Sequence, residues 1–419
     1  MSQSQQTPVE PTEFIFVICQ NGAESAAKLE IMTNHPNLKL SFSRPGFITF
    51  KVEPGSMALR FNLKSTLARS YGWSLGRCTG EVAEQMADEI VKVDTISLAD
   101  RIHVFERDPL LPGKNGFEPG VSPLANEIGE MLAVRLEAKS PRPAASVPPE
   151  SLTVTASEKS TDEVPSSEAD AGPADNESNA ADNAVQPVTT KLARSYGVNQ
   201  VARADQLVFD VVMVEPGQWW YGFHHANTTA GRWVGGAPTF DTTKEVYSRA
   251  YFKLKEALLW SGITIQPGDV CAEIGSSPGG ACQLLLEAGA TVIGIDPAEM
   301  EDEVLKHENM THIRRKANEV KKRDFKPVKW LIVDVNTDPG FTLDVAEEIA
   351  KYEEVSFTGM VLTLKMLSND FYKQVPPIMA RMKALGFQVV KLRQLAFNRR
   401  ECCLVAIKKK FVLRDQRRK

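Results

Sequence analysis

The chain has 419 residues, 42% of them hydrophobic and 24% charged, with a formal net charge of -4, which leaves room for two or three domains with real cores and shows no global basic field. That total hides a split: residues 137–190 hold ten acids and three bases, a local charge of -7 that leaves +3 on the remainder. The six cysteines form no C-x-x-C pair and no ligand spacing with histidine, MSQSQQTPVEPTE lacks a basic and apolar leader, and no run of about 18 apolar residues occurs, so the sequence argues against structural zinc and a secreted disulfide framework, neither secretion nor membrane spanning is expected, and a reducing cytoplasm is the simplest setting.

After a polar tail (1–12), EFIFVICQ (13–20) predicts a strand, GAESAAKLEIMTN a helix, and LKLSFSRPGFITFKV (38–52) two strands joined at Arg44-Pro45-Gly46. Helix and strand signals follow in EVAEQMADEIVKV (81–93) and RIHVFERD (101–108), so 13–136 reads as a small α+β module. From 137 to 190 the composition turns to Ala, Ser, Pro, Glu, Asp and Asn, with too few large apolar side chains to offset the entropy of ordering about fifty residues, and predicts a disordered acidic linker. LARSYG at 192–197 repeats LARSYG at 67–72, the mark either of a duplicated module or of local reuse. LVFDVVMVEPGQWWYGFH (207–224) predicts two strands around Glu215-Pro216-Gly217, and its aromatics Trp219, Trp220, Tyr221 and Phe223 either stack on unpaired bases or fill a sheet face. The segment 191–241 is therefore taken as the remainder of the first module.

From Thr242 to residue 410 strands and helices alternate: SRAYFKLKEALLWSG, DVCAEIG, ACQLLLEAG, TVIGID, WLIVDVN, GMVLTLKM, PPIMARMKALG, FQVVKLRQL and ECCLVAIKK. That order predicts a Rossmann-like, doubly wound α/β domain with a mostly parallel sheet. Gly275, Ser276, Ser277, Pro278, Gly279 and Gly280 form a turn between a buried strand and a helix, where glycine lets backbone approach a ligand closely. Neither G-x-G-x-x-G nor a Gly-Lys-Ser/Thr phosphate loop is present. Asp296 ends the next strand, where an acid accepts both hydroxyls of a ribose; its plainer reading is a turn residue before Pro297. Together these features favour S-adenosylmethionine, with a dinucleotide oxidoreductase as the rival.

SRAYFKL, EIGSSPGG, IVDV, LTLKM and NRRECCLVA, in that order and spacing, resemble the FtsJ/RrmJ-type RNA ribose 2′-O-methyltransferases. The resemblance implies a catalytic Lys-Asp-Lys-Glu set, which falls on Lys253, Asp334, Lys365 and Glu401, and cofactor contacts from Ser248, the Gly275 to Gly280 turn, Asp296 and Asp334, with no metal. Where the family often has an acid near the end of the third strand, this sequence has Ala317-Asn318. The chemistry independently asks for such residues: a ribose hydroxyl is a weak acid, so Lys365 must be held neutral by burial and by Lys253 to accept its proton, while Asp334 and Glu401 orient the lysines. Lys365 also interrupts the apolar run GMVLTLKML, where a charge is costly unless it faces a site at the strand's carboxyl end.

The amino-terminal part resembles, more loosely, the RlmM-type branch, which modifies large-subunit ribosomal RNA and carries a ferredoxin-like and THUMP-like RNA-binding module. Two basic stretches suit phosphate contacts: nine bases against three acids from Lys306 to Lys329, and seven bases against one acid in KKKFVLRDQRRK, which runs into a basic tail at 411–419. The sequence thus predicts an RNA partner and no membrane partner, with a non-catalytic RNA-binding or ribosome-assembly protein as the second reading.

Overall fold

The structure is a computed structural model that describes residues 9–139, 141 and 195–408; the acidic segment from 142, the first three residues of the second LARSYG and the basic tail lie outside the described residues.

The first sheet begins with β1 (Phe14–Ile18), α1 (Glu24–Asn34), β2 (Leu38–Arg44), β3 (Phe47–Val52) and β4 (Ser70–Thr79). β2 and β3 turn at Pro45-Gly46, where Gly46 takes φ +76°, the arrangement a tight turn with proline first and glycine second requires. Then come α2 (Ala83–Ile90), α3 (Asp94–Leu98), β5 (Arg101–Glu106), α4 (Pro123–Lys139), β6 (Leu207–Glu215) and β7 (Gln218–His225). Their order in the sheet is β2-β3-β1-β4-β7-β6-β5. β7 pairs antiparallel with β4, and β6 parallel with β5, so strands from both sides of the acidic segment share one sheet.

One detail differs from the sequence reading, and two choose between alternatives it left open. α4 runs through Lys139, so 137–139 are helical rather than linker; its apolar face (Ala125, Ile128, Leu132, Leu136) is buried against the sheet. β4 contains the end of the first LARSYG, with Ser70 opening the strand, whereas Tyr196 and Gly197 of the second copy lie in a turn; the hexapeptide is local reuse. The aromatics of β7 fill the sheet faces: Trp219 and Phe223 are buried, and Trp220 packs 5.1 Å from Phe42 and 5.3 Å from Phe47.

The second sheet holds β8 (Val270–Ile274), β9 (Thr291–Ile295), β10 (Met310–Ile313), β11 (Trp330–Val333), β12 (Gly359–Lys365), β13 (Val389–Arg393) and β14 (Glu401–Ile407) in the order β10-β9-β8-β11-β12-β14-β13. In this sheet only β14 runs against its neighbours. The strands are near-continuous Val, Ile, Leu and Cys runs because both faces are covered. One face carries α5 (Ala250–Ser261) and α6 (Gly280–Glu287); after α7 (Asp302–Leu305), the other carries α8 (Pro339–Ala350) and α9 (Val375–Ala384). Local chemistry sets the ends: Gly262 closes α5 in the left-handed conformation at φ +78°, and Asp338 caps α8 by accepting from the Gly340 N–H ahead of Pro339. One apolar core runs from Ile15 and Val17 of β1 and Ile31 of α1 to Leu364 of β12, Ile378 of α9 and Cys402 of β14. Among the described residues, no helix is long and apolar enough to cross a membrane.

Candidate active site

The strand order reverses between β8 and β11, and there the carboxyl ends of parallel strands open a crevice. Lys365 is the last residue of β12 and stands directly opposite Glu401, the first of β14, so the two form a cross-strand pair. Asp334 follows β11 and donates its backbone N–H to the Ile274 carbonyl at 3.0 Å. Lys253 reaches in from the first turn of α5. Its Nζ lies 2.5 Å from Asp334 Oδ2 and 2.9 Å from Glu401 Oε1, while Lys365 Nζ donates to Glu401 Oε2. The four side chains thus form a chain of alternating charge, and all four positions expected from the sequence meet.

Burial alone would raise the Glu401 carboxyl, but the ammonium groups of Lys253 and Lys365 pull it down to about 2. Burial would likewise disfavour a charged Lys253, and the carboxylates of Asp334 and Glu401 outweigh it and hold its pKa above the usual value. The cleft is lined by Lys253 and Asp334 together with Ala250, Thr363, Asn398 and Cys403. Among these, Asn398 is a polar residue that opens the motif NRRECCLVA, to which the sequence assigns no role.

The glycine turn lies beside this cluster. Gly275, at φ +86°, crosses so close to the chain after β11 that a Cβ would fall 2.4 Å from the Asp334 carbonyl oxygen. A Cβ on Gly280 would fall 2.2 Å from Ser248 Oγ, so only glycine lets Ser248 sit against the start of α6. Ser277 and Asp296 also meet: Asp296 Oδ2 accepts from the Ser277 N–H at 3.3 Å and Oδ1 from the Ala298 N–H at 2.8 Å. Asp296 is therefore a turn residue in part, and its carboxylate retains lone pairs for hydroxyl donors. Ser277 Oγ donates to the Glu299 carbonyl at 2.6 Å, Ser276 turns inward toward the Met300 sulfur, the Pro278 carbonyl accepts from Glu301 N–H, and Gly279 packs against Val304.

Glu273, in the strand that leads into this turn, is missing from the sequence-derived set. It is 1% exposed. Oε2 accepts from the Cys282 thiol at 2.9 Å, Oε1 has no partner, and burial pushes the carboxyl up to about 8. Its one sequence signal is its place at the head of EIGSSPGG. A glycine cradle that side chains would fill, an acid beside it and an unsatisfied buried carboxyl oxygen fit a nucleoside-type methyl donor without a phosphate site.

The basic stretch 306–329 is largely neutralised where it stands. Lys306, Arg314, Lys322, Lys326 and Lys329 pair with Glu303, Glu299, Glu348, Glu354 and Asp269 at 2.5–3.1 Å. It is mainly a solvated, ion-paired face.

Comparison with known proteins agrees with this geometry. The family model described as FtsJ-like methyltransferase matches residues 246–393. A ribosomal RNA large subunit methyltransferase M of Shewanella amazonensis is 25% identical over 188 residues, covering 42% of this chain and 50% of that protein. The protein of the same name from Halorhodospira halophila is 31% identical over 110 residues, 26% of this chain and 32% of its own. The chain thus spans about half the length, or less, of the curated relatives it matches. Among solved structures, the fibrillarin pre-rRNA processing protein of Methanococcus jannaschii overlaps 47% of this chain and 81% of its own at 16% identity and a TM-score of 0.31, a likeness too slight to carry an argument. Residues 246–393 of this chain thus match the FtsJ-like methyltransferases, and S-adenosylmethionine is the methyl donor that goes with that match.

Proposed function

We propose that this protein transfers a methyl group from S-adenosylmethionine to a ribose 2′-hydroxyl of RNA, with large-subunit ribosomal RNA as the acceptor and the cytoplasm as its compartment. The observation that carries the reading is the convergence of Lys253, Asp334, Lys365 and Glu401 beside the glycine turn. The names of the curated relatives support the choice of ribosomal RNA, and six free, buried cysteines suit a reducing compartment.

In this reading Ser248, the turn from Gly275 to Gly280 and Asp296 hold the cofactor, with Asp334 at the border between cofactor and acceptor. The cofactor supplies an electrophilic methyl on a sulfonium sulfur. Lys365, paired as an ammonium with Glu401 at rest, first gives up its own proton and then accepts the hydroxyl proton at Nζ, as the ribose oxygen takes the methyl carbon from the sulfonium sulfur and the sulfur keeps the electrons of the broken bond. Glu401, standing opposite, stabilises the ammonium that results. Lys253 keeps Asp334 and Glu401 from repelling each other and fixes where both point. The first sheet, read as the ferredoxin-like and THUMP-like module, anchors the RNA beside this site.

The test is transfer of labelled methyl from S-adenosylmethionine to total ribosomal RNA, with nuclease mapping of the product and Lys365→Ala in parallel. Label on a large-subunit ribose, lost in the variant, is expected. Label on a base, or tight cofactor binding without transfer to any RNA, would overturn the assignment and favour a non-catalytic RNA-binding role.

A further inference from the structure

The turn 394–400 joins β13 to Glu401, and residues of the amino-terminal module hold it at Gln394, Asn398 and Arg399. Gln20, just past β1 and 2% exposed, donates from Nε2 to the Asn398 carbonyl. Its Oε1 accepts from Gln394 Nε2 at 2.8 Å. The same Gln394 donates to the Arg399 carbonyl at 2.6 Å and takes its backbone partner from Thr66, whose carbonyl accepts from Gln394 N–H at 2.8 Å. Arg399 Nε donates to the Pro112 carbonyl at 2.8 Å. From the catalytic side, Glu256, three residues beyond Lys253 on α5, accepts the Ala396 and Phe397 N–H groups, both at 2.8 Å. A seven-residue turn held this way by two modules has little freedom left.

At the crest of that turn Asn398 is 2% exposed and lines the cleft with Lys253 and Asp334. Its Oδ1 accepts the Leu395 N–H at 3.0 Å, which fixes the plane of the amide. No acceptor for its Nδ2 is found among the described residues. An oriented amide whose remaining capacity is donation suits an oxygen of the acceptor rather than its proton. The lone pair of a ribose oxygen that neither attacks the methyl nor carries the departing proton is such a partner.

We propose that Gln20 is a positioning residue of the methyl-transfer site, holding the turn 394–400 so that Asn398 donates a side-chain hydrogen bond to a ribose oxygen of the RNA. The inference rests on the ribose-methylation reading above. It makes the first sheet part of the catalytic machinery as well as the module that anchors RNA.

Two variants of the full chain test it. Asn398→Asp keeps an oxygen for the Leu395 N–H and removes the donor; Gln20→Met keeps the volume and removes both hydrogen bonds. For each, transfer to ribosomal RNA is measured as kcat and KM, with cofactor Kd and melting temperature alongside. Asn398→Asp should lower kcat/KM roughly 10- to 100-fold, the loss of one well-placed hydrogen bond in a desolvated site. Gln20→Met should lower kcat by about 10-fold, at a temperature far below its melting transition, with cofactor Kd and RNA KM unchanged. The doubly substituted chain should be no slower than Asn398→Asp alone, since Gln20 acts through Asn398. A Gln20→Met protein that melts earlier but turns over at the wild-type rate would mean a purely structural bond, and a fully active Asn398→Asp would remove the donor role. Both active beside an inactive Lys365→Ala sink this inference alone; a wild-type chain that labels no ribose sinks the underlying reading with it.

Discussion

Two ionic assemblies in this molecule are built to opposite plans. In the first sheet Arg69 and Asp108 form a bidentate pair at 2.6 and 2.9 Å, each side chain 5% exposed, with Arg69 Nε donating to the Gly235 carbonyl at 3.0 Å. At the strand ends of the second sheet, four charges share one network in which Lys253, Asp334 and Lys365 remain 15–20% exposed and only Glu401 falls to 6%. The enclosed pair turns its hydrogen bonds wholly toward protein and serves packing. The open chain leaves charged groups within reach of a substrate, which is what proton transfer needs and what stability alone would not select.

Substitution on each side should therefore fail in a different measurement. Lys365→Ala is expected to lower methyl transfer by about 10³-fold, within the range for removal of a general base, while the melting temperature moves little. Lys365→Arg should be as inactive, because a guanidinium keeps its charge and accepts no proton. A Lys365→Arg enzyme with substantial activity would show that charge and not basicity is what the site requires. Arg69→Met should leave Asp108 buried without a partner and lower unfolding free energy by about 3 kcal/mol, read by denaturant titration. Adding Asp108→Leu to it should recover much of that loss; a double variant as unstable as the single one would place the stabilising role elsewhere.

A pH series separates the groups by sign. Burial pushes Glu273 from its ordinary 4.5 up to about 8 and Glu256 up to about 7. Folded protein therefore holds protons that the unfolded chain has released, and stability falls as pH rises through that window. Glu401 runs the other way: its carboxyl is depressed to about 2, so its contribution is present above the ordinary value of 4.5 and is lost as pH falls toward 2. Glu273→Gln should flatten the fall between about pH 5 and about pH 8 by on the order of 2 kcal/mol, since a tenfold change in proton affinity is worth ~1.4 kcal/mol and local relaxation absorbs part of the total. Wild-type and variant curves that stay parallel across the window would show that Glu273 titrates normally.

The second sheet is legible in the sequence because its signals are local: Val- and Ile-rich runs, a glycine turn and an acid twenty residues on read directly as strand, turn and strand. The quartet is legible through the resemblance of its motifs to a known family, since each member taken alone also reads as a solvated charge or a strand-end cap. Asn398 and Gln20 are not, because their roles depend on a contact between residues 378 apart in sequence. Glu273 stands inside a motif and still escapes notice, since burial without a partner is a property of packing and not of a motif. β4 is obscured by Gly72 and Gly76, which weaken a strand pattern, and α4 by its closeness to the acidic segment. The pairing of β6 with β5 cannot be read at all, because composition predicts that a stretch will not order but says nothing of where its two ends lie.

They lie together. Tyr196 Oη donates to Glu137 Oε2 at 3.1 Å, so the chain returns to the end of α4 before it enters β6. Residues 142–194 can then be replaced by about eight Gly and Ser residues without straining either strand. Loop closure costs about 0.6 kcal/mol per doubling of length, so this shortening should raise unfolding free energy by roughly 1.6 kcal/mol, the smallest effect of the series, and leave methyl transfer unchanged. A shortened chain with weaker RNA binding at full stability would assign the acidic segment to the substrate. One that loses stability would mean that the first sheet depends on contacts from the segment itself, and the contrast between a self-sufficient enclosed pair and an open catalytic chain would have to be redrawn around it.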